Sequence, residues 1–308
     1  MMIKKPKFWD QKKPNFFTYL LTPVSKIVSF FNTLKKGENL EFSGIKVICV
    51  GNIYIGGTGK TPLSIKISQL LNKKNLKASV LKKFYNEQND EQILIKNKTN
   101  LISKKNRKTC IENAINNKFK YAIFDDGLQD KSIKYDLKIC CFSSNNWIGN
   151  GNVIPAGPLR EKITSLKNFD IVFINGPDIN NKEIKKEIMK INHNIEIFEG
   201  SYKPKNLNKL DNSQNYIAFS GIGNPENFNF TLRENNFKIL KYFSFPDHYN
   251  YKNNELKNIK RFAIKNNSKI ITTEKDYLRI NKELRSDINY IEMDLEINDE
   301  NKFLNLIF

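Results

Sequence analysis

Tyr54-Ile55-Gly56-Gly57-Thr58-Gly59-Lys60-Thr61 follows the apolar run Ile45-Lys46-Val47-Ile48-Cys49-Val50 and precedes Pro62-Leu63-Ser64-Ile65-Lys66-Ile67-Ser68-Gln69-Leu70-Leu71. The first run reads as a buried strand. The second reads as a helix, with Leu63, Ile67, Leu70 and Leu71 on one face. A strand, a glycine-rich turn and Gly-Lys-Thr at a helix start are the context a phosphate-binding loop needs. Glycines let the backbone wrap an anion and aim N–H groups at it. The free N–H groups and dipole of the helix start favour negative charge. Lys60 can reach terminal phosphates, and the Thr61 hydroxyl can hold Mg²⁺. The usual spacing has a further glycine where this chain has Tyr54, and Gly51 lies three residues upstream. Gly56, Gly57 and Gly59 must therefore supply the curvature. The competing reading is a turn that merely joins strand to helix.

At 308 residues the chain can bury a large core, as one α/β domain or two smaller ones. The formal net charge of +19, from 51 Lys+Arg against 32 Asp+Glu, suits polyanions: nucleic acid, anionic lipid or phosphorylated substrates. Lys-rich composition accounts for it equally well, so charge alone decides nothing. Cys49, Cys110, Cys140 and Cys141 contain no Cys-x-x-Cys and read as small buried hydrophobes in a reducing compartment.

The amino terminus is basic, with Lys4, Lys5, Lys7, Lys12 and Lys13. A helical stripe follows: Phe17, Leu20, Leu21, Val24, Ile27, Val28 and Phe31. Pro23 and Lys26 interrupt it, and it falls short of a spanning helix. Two readings stand: a helix in a membrane interface, or one packed on the protein's own core. Flanking Lys35 and Lys36 favour anionic lipid.

Further strands are expected at 78–81, 121–124, 137–142, 170–174, 195–198, 216–220, 239–245, 270–273 and 290–295. Helices are expected between most of them, including one near 254–266. Tyr121-Ala122-Ile123-Phe124 runs into Asp125-Asp126, an apolar strand ending in acid that can face a phosphate crevice and bind Mg²⁺. The Gly/Pro loop 149–161 ends in Arg160-Glu161 and is long enough to carry function. Alternating strands and helices predict an α/β fold: a P-loop NTPase-like parallel sheet with helices on both faces, a smaller α/β carboxy-terminal lobe and an amino-terminal amphipathic helix. The expected divisions are 1–36, 37–210 and 211–308. Of the two histidines, His193 lies in a polar stretch and His248 follows a strand end and Pro246.

Together these blocks resemble the tetraacyldisaccharide 4'-kinase (lipid A 4'-kinase) family. The resemblance is carried by Gly51-Asn52, Gly56 to Pro62, Asp125-Asp126-Gly127-Leu128-Gln129, Gly149-Asn150-Gly151 and Pro155 to Glu161. Gly221-Ile222-Gly223-Asn224-Pro225, Asp247-His248 and Thr273-Glu274-Lys275-Asp276 complete it. It implies transfer of the ATP γ-phosphate to the 4'-hydroxyl of an acylated glucosamine disaccharide 1-phosphate. It also implies Mg²⁺ and a monomer at the cytoplasmic face of the inner membrane, on an anionic surface. The nucleotide would be held by Tyr54, Ile55, Gly56, Gly57, Thr58, Gly59, Lys60 and Thr61. The metal would be held by Thr61, Asp125 and Asp126. The resemblance makes Asp90 and His248 a catalytic pair beside Lys60, and Gln129, Arg160, Glu161 and Arg107 substrate contacts. The chain departs from the family pattern at Lys82-Lys83-Phe84-Tyr85, where the family has Ser-Arg-Gly-Tyr, in the short segment before Asp90, and at Asp130, where it has His. The rival readings are a nucleic-acid-dependent P-loop ATPase and a P-loop assembly GTPase. Neither a nucleic-acid recognition motif nor an Asn-Lys-x-Asp base-reading block stands out, and nucleic acid is not expected as a partner.

Overall fold

The structure, a computed structural model, describes residues 5–308 except Lys12, Lys35, Lys36, residues 85–88, Ile179, Asn224 and His248, and except the side chains of Thr33, Asn89 and Asp90. The chain divides into two units: Met1–Ser201 with Leu295–Phe308, and Tyr202–Asp294.

The first unit is built on β1 (Lys46–Gly51), β2 (Ala78–Lys83), β3 (Leu101–Lys104), β4 (Tyr121–Asp125), β5 (Leu137–Ser143), β6 (Ile171–Asn175), β7 (Glu196–Pro204) and β12 (Met293–Ile297). They form one sheet in the order β12-β7-β6-β5-β1-β4-β2-β3. The pairings of β1 with β4 and β5, of β2 with β3 and β4, and of β6 with β5 and β7 are parallel. The central strands read as near-continuous apolar runs because helices cover both faces. Val47, Ile48, Cys49 and Val50 are all buried. On one face Val47, Cys49, Phe124 and Tyr135 pack with Cys110, Ile111 and Ala114 of α4 (Arg107–Asn116). On another, Cys140, Phe142, Val172 and Ile174 pack with Ile184 and Ile188 of α5 (Asn181–Ile191). All four cysteines are free and buried, as small apolar side chains would be.

The phosphate-loop helix is α2 (Lys60–Lys73), and its stripe Leu63, Ile67, Leu70 and Leu71 is buried as the periodicity expects. It follows β1, whose place between β4 and β5 is the centre of the sheet. The strand order reverses there: β1 leads outward to β2 on one side and to β5 and β6 on the other. In open α/β sheets such a switch point opens a crevice at the carboxyl ends of the strands. The loop and the Asp125 end of β4 both lie at that edge.

The second unit carries β8 (Asn215–Ser220), β9 (Lys238–Ser244), β10 (Lys269–Thr273) and β11 (Ile288–Ile291), ordered β11-β10-β8-β9 with parallel pairings. Helix α7 (Asn253–Lys265) packs Leu256, Ile259 and Ala263 on one side of it, and α6 (Pro225–Glu234) packs Phe228 and Leu232 on the other. The sequence expects one closing strand at 290–295. Instead the chain makes β11 in the small sheet and β12 in the large one. The break falls at Glu292, whose N–H donates to Asn206 Oδ1 (2.9 Å) and whose carbonyl accepts from Lys205 N (2.9 Å). The sequence reading also keeps 211–308 together, whereas Leu295–Phe308 returns to the first unit. There α9 (Glu300–Ile307) buries Phe303 against Phe173 and Phe198.

Helix α1 (Phe16–Leu34) is docked in an unexpected way. Its buried residues are polar: Thr18 and Ser25. Ser25 Oγ donates to Val153 O (2.7 Å) and accepts from Ala156 N (2.9 Å). Asn150 Nδ2 reaches Thr18 Oγ1 (3.4 Å), and Asn32 Nδ2 donates to Arg160 O (3.3 Å). Thr18, Ser25 and Asn32 are seven residues apart, so they form one inward seam. Phe16, Phe17, Tyr19, Leu20, Val24, Ile27, Phe30, Phe31 and Leu34 are exposed instead. Of the expected stripe, Phe17, Leu20, Val24, Ile27 and Phe31 are thus exposed, and Leu21 and Val28, flanking Ser25, are half-buried. No helix among the described residues is long and apolar enough to cross a membrane.

Candidate functional site

The loop is shaped by its glycines and by two side chains. Gly56 (φ +134°) and Gly59 (φ +91°) occupy the left-handed region, where a side chain would be strained. A Cβ at Gly57 would meet nothing within 4 Å, so the loop's inner surface is open at that point. Asn52, buried at the end of β1, donates to Gly56 O (3.3 Å) and Thr58 Oγ1 (2.9 Å) and so staples the loop. Tyr54, standing where the usual spacing has glycine, is buried with Val153 and Leu159. Its hydroxyl donates to Asp10 Oδ1 (2.6 Å) and contacts Lys5. Burial, then Asp10, push the Tyr54 phenol upward, so it stays a donor. Ile55 N donates to Pro158 O (2.8 Å) and Arg160 N to Ile53 O (2.6 Å), which ties the loop to the 149–161 segment. Lys60 and Thr61 open α2, where the first N–H groups have no helical acceptor.

Asp125 ends β4 directly across from Val50 of β1. Its side chain is fully buried. Oδ2 accepts from Thr61 Oγ1 (3.0 Å) and from Lys82 Nζ (2.6 Å). Oδ1 is buried with no hydrogen-bond partner among the described residues. A buried carboxylate oxygen left bare is costly. Beside a threonine hydroxyl at a helix start, it is the donor set a Mg²⁺ ion takes from a protein when phosphates and water supply the rest. The residues present fit that ion.

Asp126 is turned elsewhere. It sits at φ +62°, and its Oδ1 accepts from Arg160 Nη1 (3.0 Å). Burial alone would raise its carboxyl. The charges of Lys60 and Arg160 outweigh that and hold it below the usual carboxylate range. Lys60, Asp126 and Arg160 thus share one neighbourhood. Arg160 Nη1 also donates to Gln129 Oε1 (3.0 Å), and Gln129 Nε2 donates to Asn52 O (2.9 Å) and Glu161 Oε1 (3.3 Å). Arg107 begins α4, capped by Asn106. It donates to Asp126 O (2.7 Å) and pairs with Asp130. These groups border an open pocket of about 720 Å³ lined by Arg107, Lys108, Asp126, Gln129, Lys131 and Arg160, among others. The lining carries four cations (Arg107, Lys108, Lys131 and Arg160) against three carboxylates (Glu38, Asp126 and Asp130), a small positive excess whose arginines can hold an anionic group.

The structure therefore brings Lys60, Thr61, Asp125, Asp126, Gln129, Arg160, Glu161 and Arg107 into one region of the first unit. Asp90 lies in the first turn of α3 (Asn89–Lys98). Its side chain and His248 lie outside the described residues. His193 is exposed. Sequence reasoning missed Asn52 as a staple and Lys82 as a partner of Asp125. A polar residue straight after a buried strand, and a lysine near the end of one, were the available signals.

Comparison with known proteins bears on the same region. Residues 17–308 match the family described as Tetraacyldisaccharide-1-P 4'-kinase. A tetraacyldisaccharide 4'-kinase of Pelagibacter ubique (strain HTCC1062) is 49% identical over 305 residues, 99% of this chain and 97% of its own. That of Rickettsia canadensis (strain McKiel) is 35% identical over 322 residues, 98% of this chain and 96% of its own. Among solved structures, LpxK from Aquifex aeolicus in complex with ATP matches with a TM-score of 0.71 at 22% identity, covering 95% of this chain and 98% of that one. At that identity the likeness establishes the fold.

Proposed function

This chain belongs to the tetraacyldisaccharide 4'-kinase family, and from that premise we propose that it transfers the γ-phosphate of ATP to the 4'-hydroxyl of an acylated glucosamine disaccharide 1-phosphate, giving lipid IVA in lipid A biosynthesis. The observation that carries the reading is the Thr61–Asp125 contact, with Asp125 Oδ1 left free beside it. Loop N–H groups and Lys60 hold the phosphates in line, so that catalysis is positioning plus charge stabilisation. Thr61 and Asp125 would hold Mg²⁺, which would offset the charge of the phosphates. Asp126, beside Lys60 and Arg160, lies at the rim of that site.

The pocket beside Arg107 and Arg160, with its small positive excess, takes the anionic acceptor. Arg160, Arg107, Gln129 and Glu161 are the substrate contacts in this reading, with Lys108 and Lys131 adding charge. The resemblance assigns Asp90 to taking the hydroxyl proton and His248 to supporting it. The bare apolar face of α1, with basic residues before it, suits the plane of a membrane interface. The acceptor's acyl chains would reside there, at the cytoplasmic face of the inner membrane.

The test is transfer of labelled γ-phosphate from ATP to tetraacyldisaccharide 1-phosphate in detergent with Mg²⁺. Wild-type protein should form the product and Lys60→Ala should not. Nucleic-acid-stimulated ATP hydrolysis without lipid transfer would overturn the reading.

A further inference from the structure

Lys82 is the penultimate residue of β2, and the register Leu81↔Phe124 brings it level with Asp125 of the adjacent β4. Its side chain is only 5% exposed. Nζ lies 2.6 Å from Asp125 Oδ2 and 2.7 Å from Glu91 Oε2, in the first turn of α3. An ammonium is buried at such a place only when carboxylates neutralise it. Burial pulls against its charge, and Asp125 and Glu91 outweigh that, so it stays protonated.

The arrangement has two consequences. Lys82 and Thr61 together occupy Asp125 Oδ2, which leaves Oδ1 as the oxygen turned to a ligand. Lys82 also ties Glu91, the neighbour of Asp90, to that same carboxylate. The apolar anchor of α3 is further along, at Ile95 with Ile65 and Val80. The polar tether adds a contact at the amino-terminal turn of the helix, one turn before that anchor.

We infer that Lys82 is a positioning residue: its ammonium clamps Asp125 with Oδ1 facing the metal and draws the Asp90-bearing turn of α3 to the nucleotide site. The inference rests on the Mg²⁺–nucleotide reading of that site. Asp125, Lys82 and Glu91 sum to a single negative charge. Lys82→Met makes that two, and Lys82→Met with Glu91→Gln restores one.

The experiment measures equilibrium binding of a fluorescent ATP analogue across a Mg²⁺ titration, together with kcat and KM, for wild type and both variants. In Lys82→Met, binding without Mg²⁺ should weaken and the half-saturating Mg²⁺ should fall, each on the order of tenfold. In the double variant the Mg²⁺ midpoint should return to within about threefold of wild type. Its kcat should stay at least about tenfold low, because the tether to α3 is still missing. If Lys82→Met fails to fold, the double variant, which leaves one carboxylate (Asp125) rather than two without the ammonium, carries the test alone. A double variant with wild-type kcat overturns the inference, as does a Mg²⁺ midpoint in folded Lys82→Met that stays or rises. Wild-type protein that binds no nucleotide with Mg²⁺ would instead overturn the proposed function, and the clamp with it.

Discussion

Replacing Leu20, Ile27 and Phe31 by glutamine should release the protein from anionic vesicles without unfolding it. These side chains are 60%, 56% and 61% exposed, so they contribute little to the packed structure. The inward seam of Thr18, Ser25 and Asn32 is untouched, and glutamine is a good helix former. Fully burying such a side chain is worth about 2 kcal/mol. Roughly six-tenths of each remains to be buried, so each contributes about 1.2 kcal/mol and the three about 3.5 kcal/mol. At 1.4 kcal/mol per decade, the vesicle partition coefficient should fall about 300-fold. Sedimentation with phosphatidylglycerol-containing vesicles measures it, and thermal melting checks the fold. Neutral vesicles should bind wild type more weakly, because each basic residue near an anionic surface adds about 1 kcal/mol. A triple variant that is folded and partitions within about threefold of wild type would refute the membrane role of this face.

Three other outcomes are expected. Lys60→Ala should lower kcat by roughly 10³-fold or more with melting unchanged, as removing one charge-stabilising group does; steady-state kinetics and a melt check both halves. Asp125→Ala should cost about 3 kcal/mol of stability, because it strips a partner from buried Lys82, and denaturant titration should detect it. Asp126 and Asp130 are both held below the ordinary carboxylate range. Burial opposes this in each. Lys60 and Arg160 outweigh it for Asp126, and Ser132 and Arg107 for Asp130. Their contribution is therefore complete above the unfolded aspartate pKa near ~4 and is lost as pH falls through the lower folded values. Melting of Asp126→Asn/Asp130→Asn should accordingly fall less steeply than wild type below about pH 4; parallel curves would contradict the assignment.

The central strands and the phosphate loop were legible because their patterns are local. Val47 to Val50 is a continuous buried run, and Gly59-Lys60-Thr61 opens a helix whose stripe is read directly from spacing. Asp125 was legible for the same reason, as an acid ending an apolar strand. What stayed hidden depends on partners distant in sequence. Glu292 breaks a strand because Lys205 and Asn206 take its backbone bonds. The stripe of α1 has helical period whichever way it faces, and only the hydrogen bonds of Ser25 to Val153 and Ala156 show which side of the helix docks on the protein. Lys82 has no local mark of its pairing with Asp125, since the two meet across strands 43 positions apart in sequence. Asp126 was expected beside the metal with Asp125. Its left-handed backbone also brings its Oδ1 to Arg160, a tertiary contact with no local mark in the sequence.

The measurement closest to the central claim is the position of the new phosphate. Purified protein, Mg²⁺-ATP and tetraacyldisaccharide 1-phosphate should yield one bisphosphorylated product, with fragmentation mass spectrometry placing the added group on the 4'-oxygen. Consumption of ATP with the disaccharide recovered unchanged, or phosphate on another hydroxyl, would contradict the account.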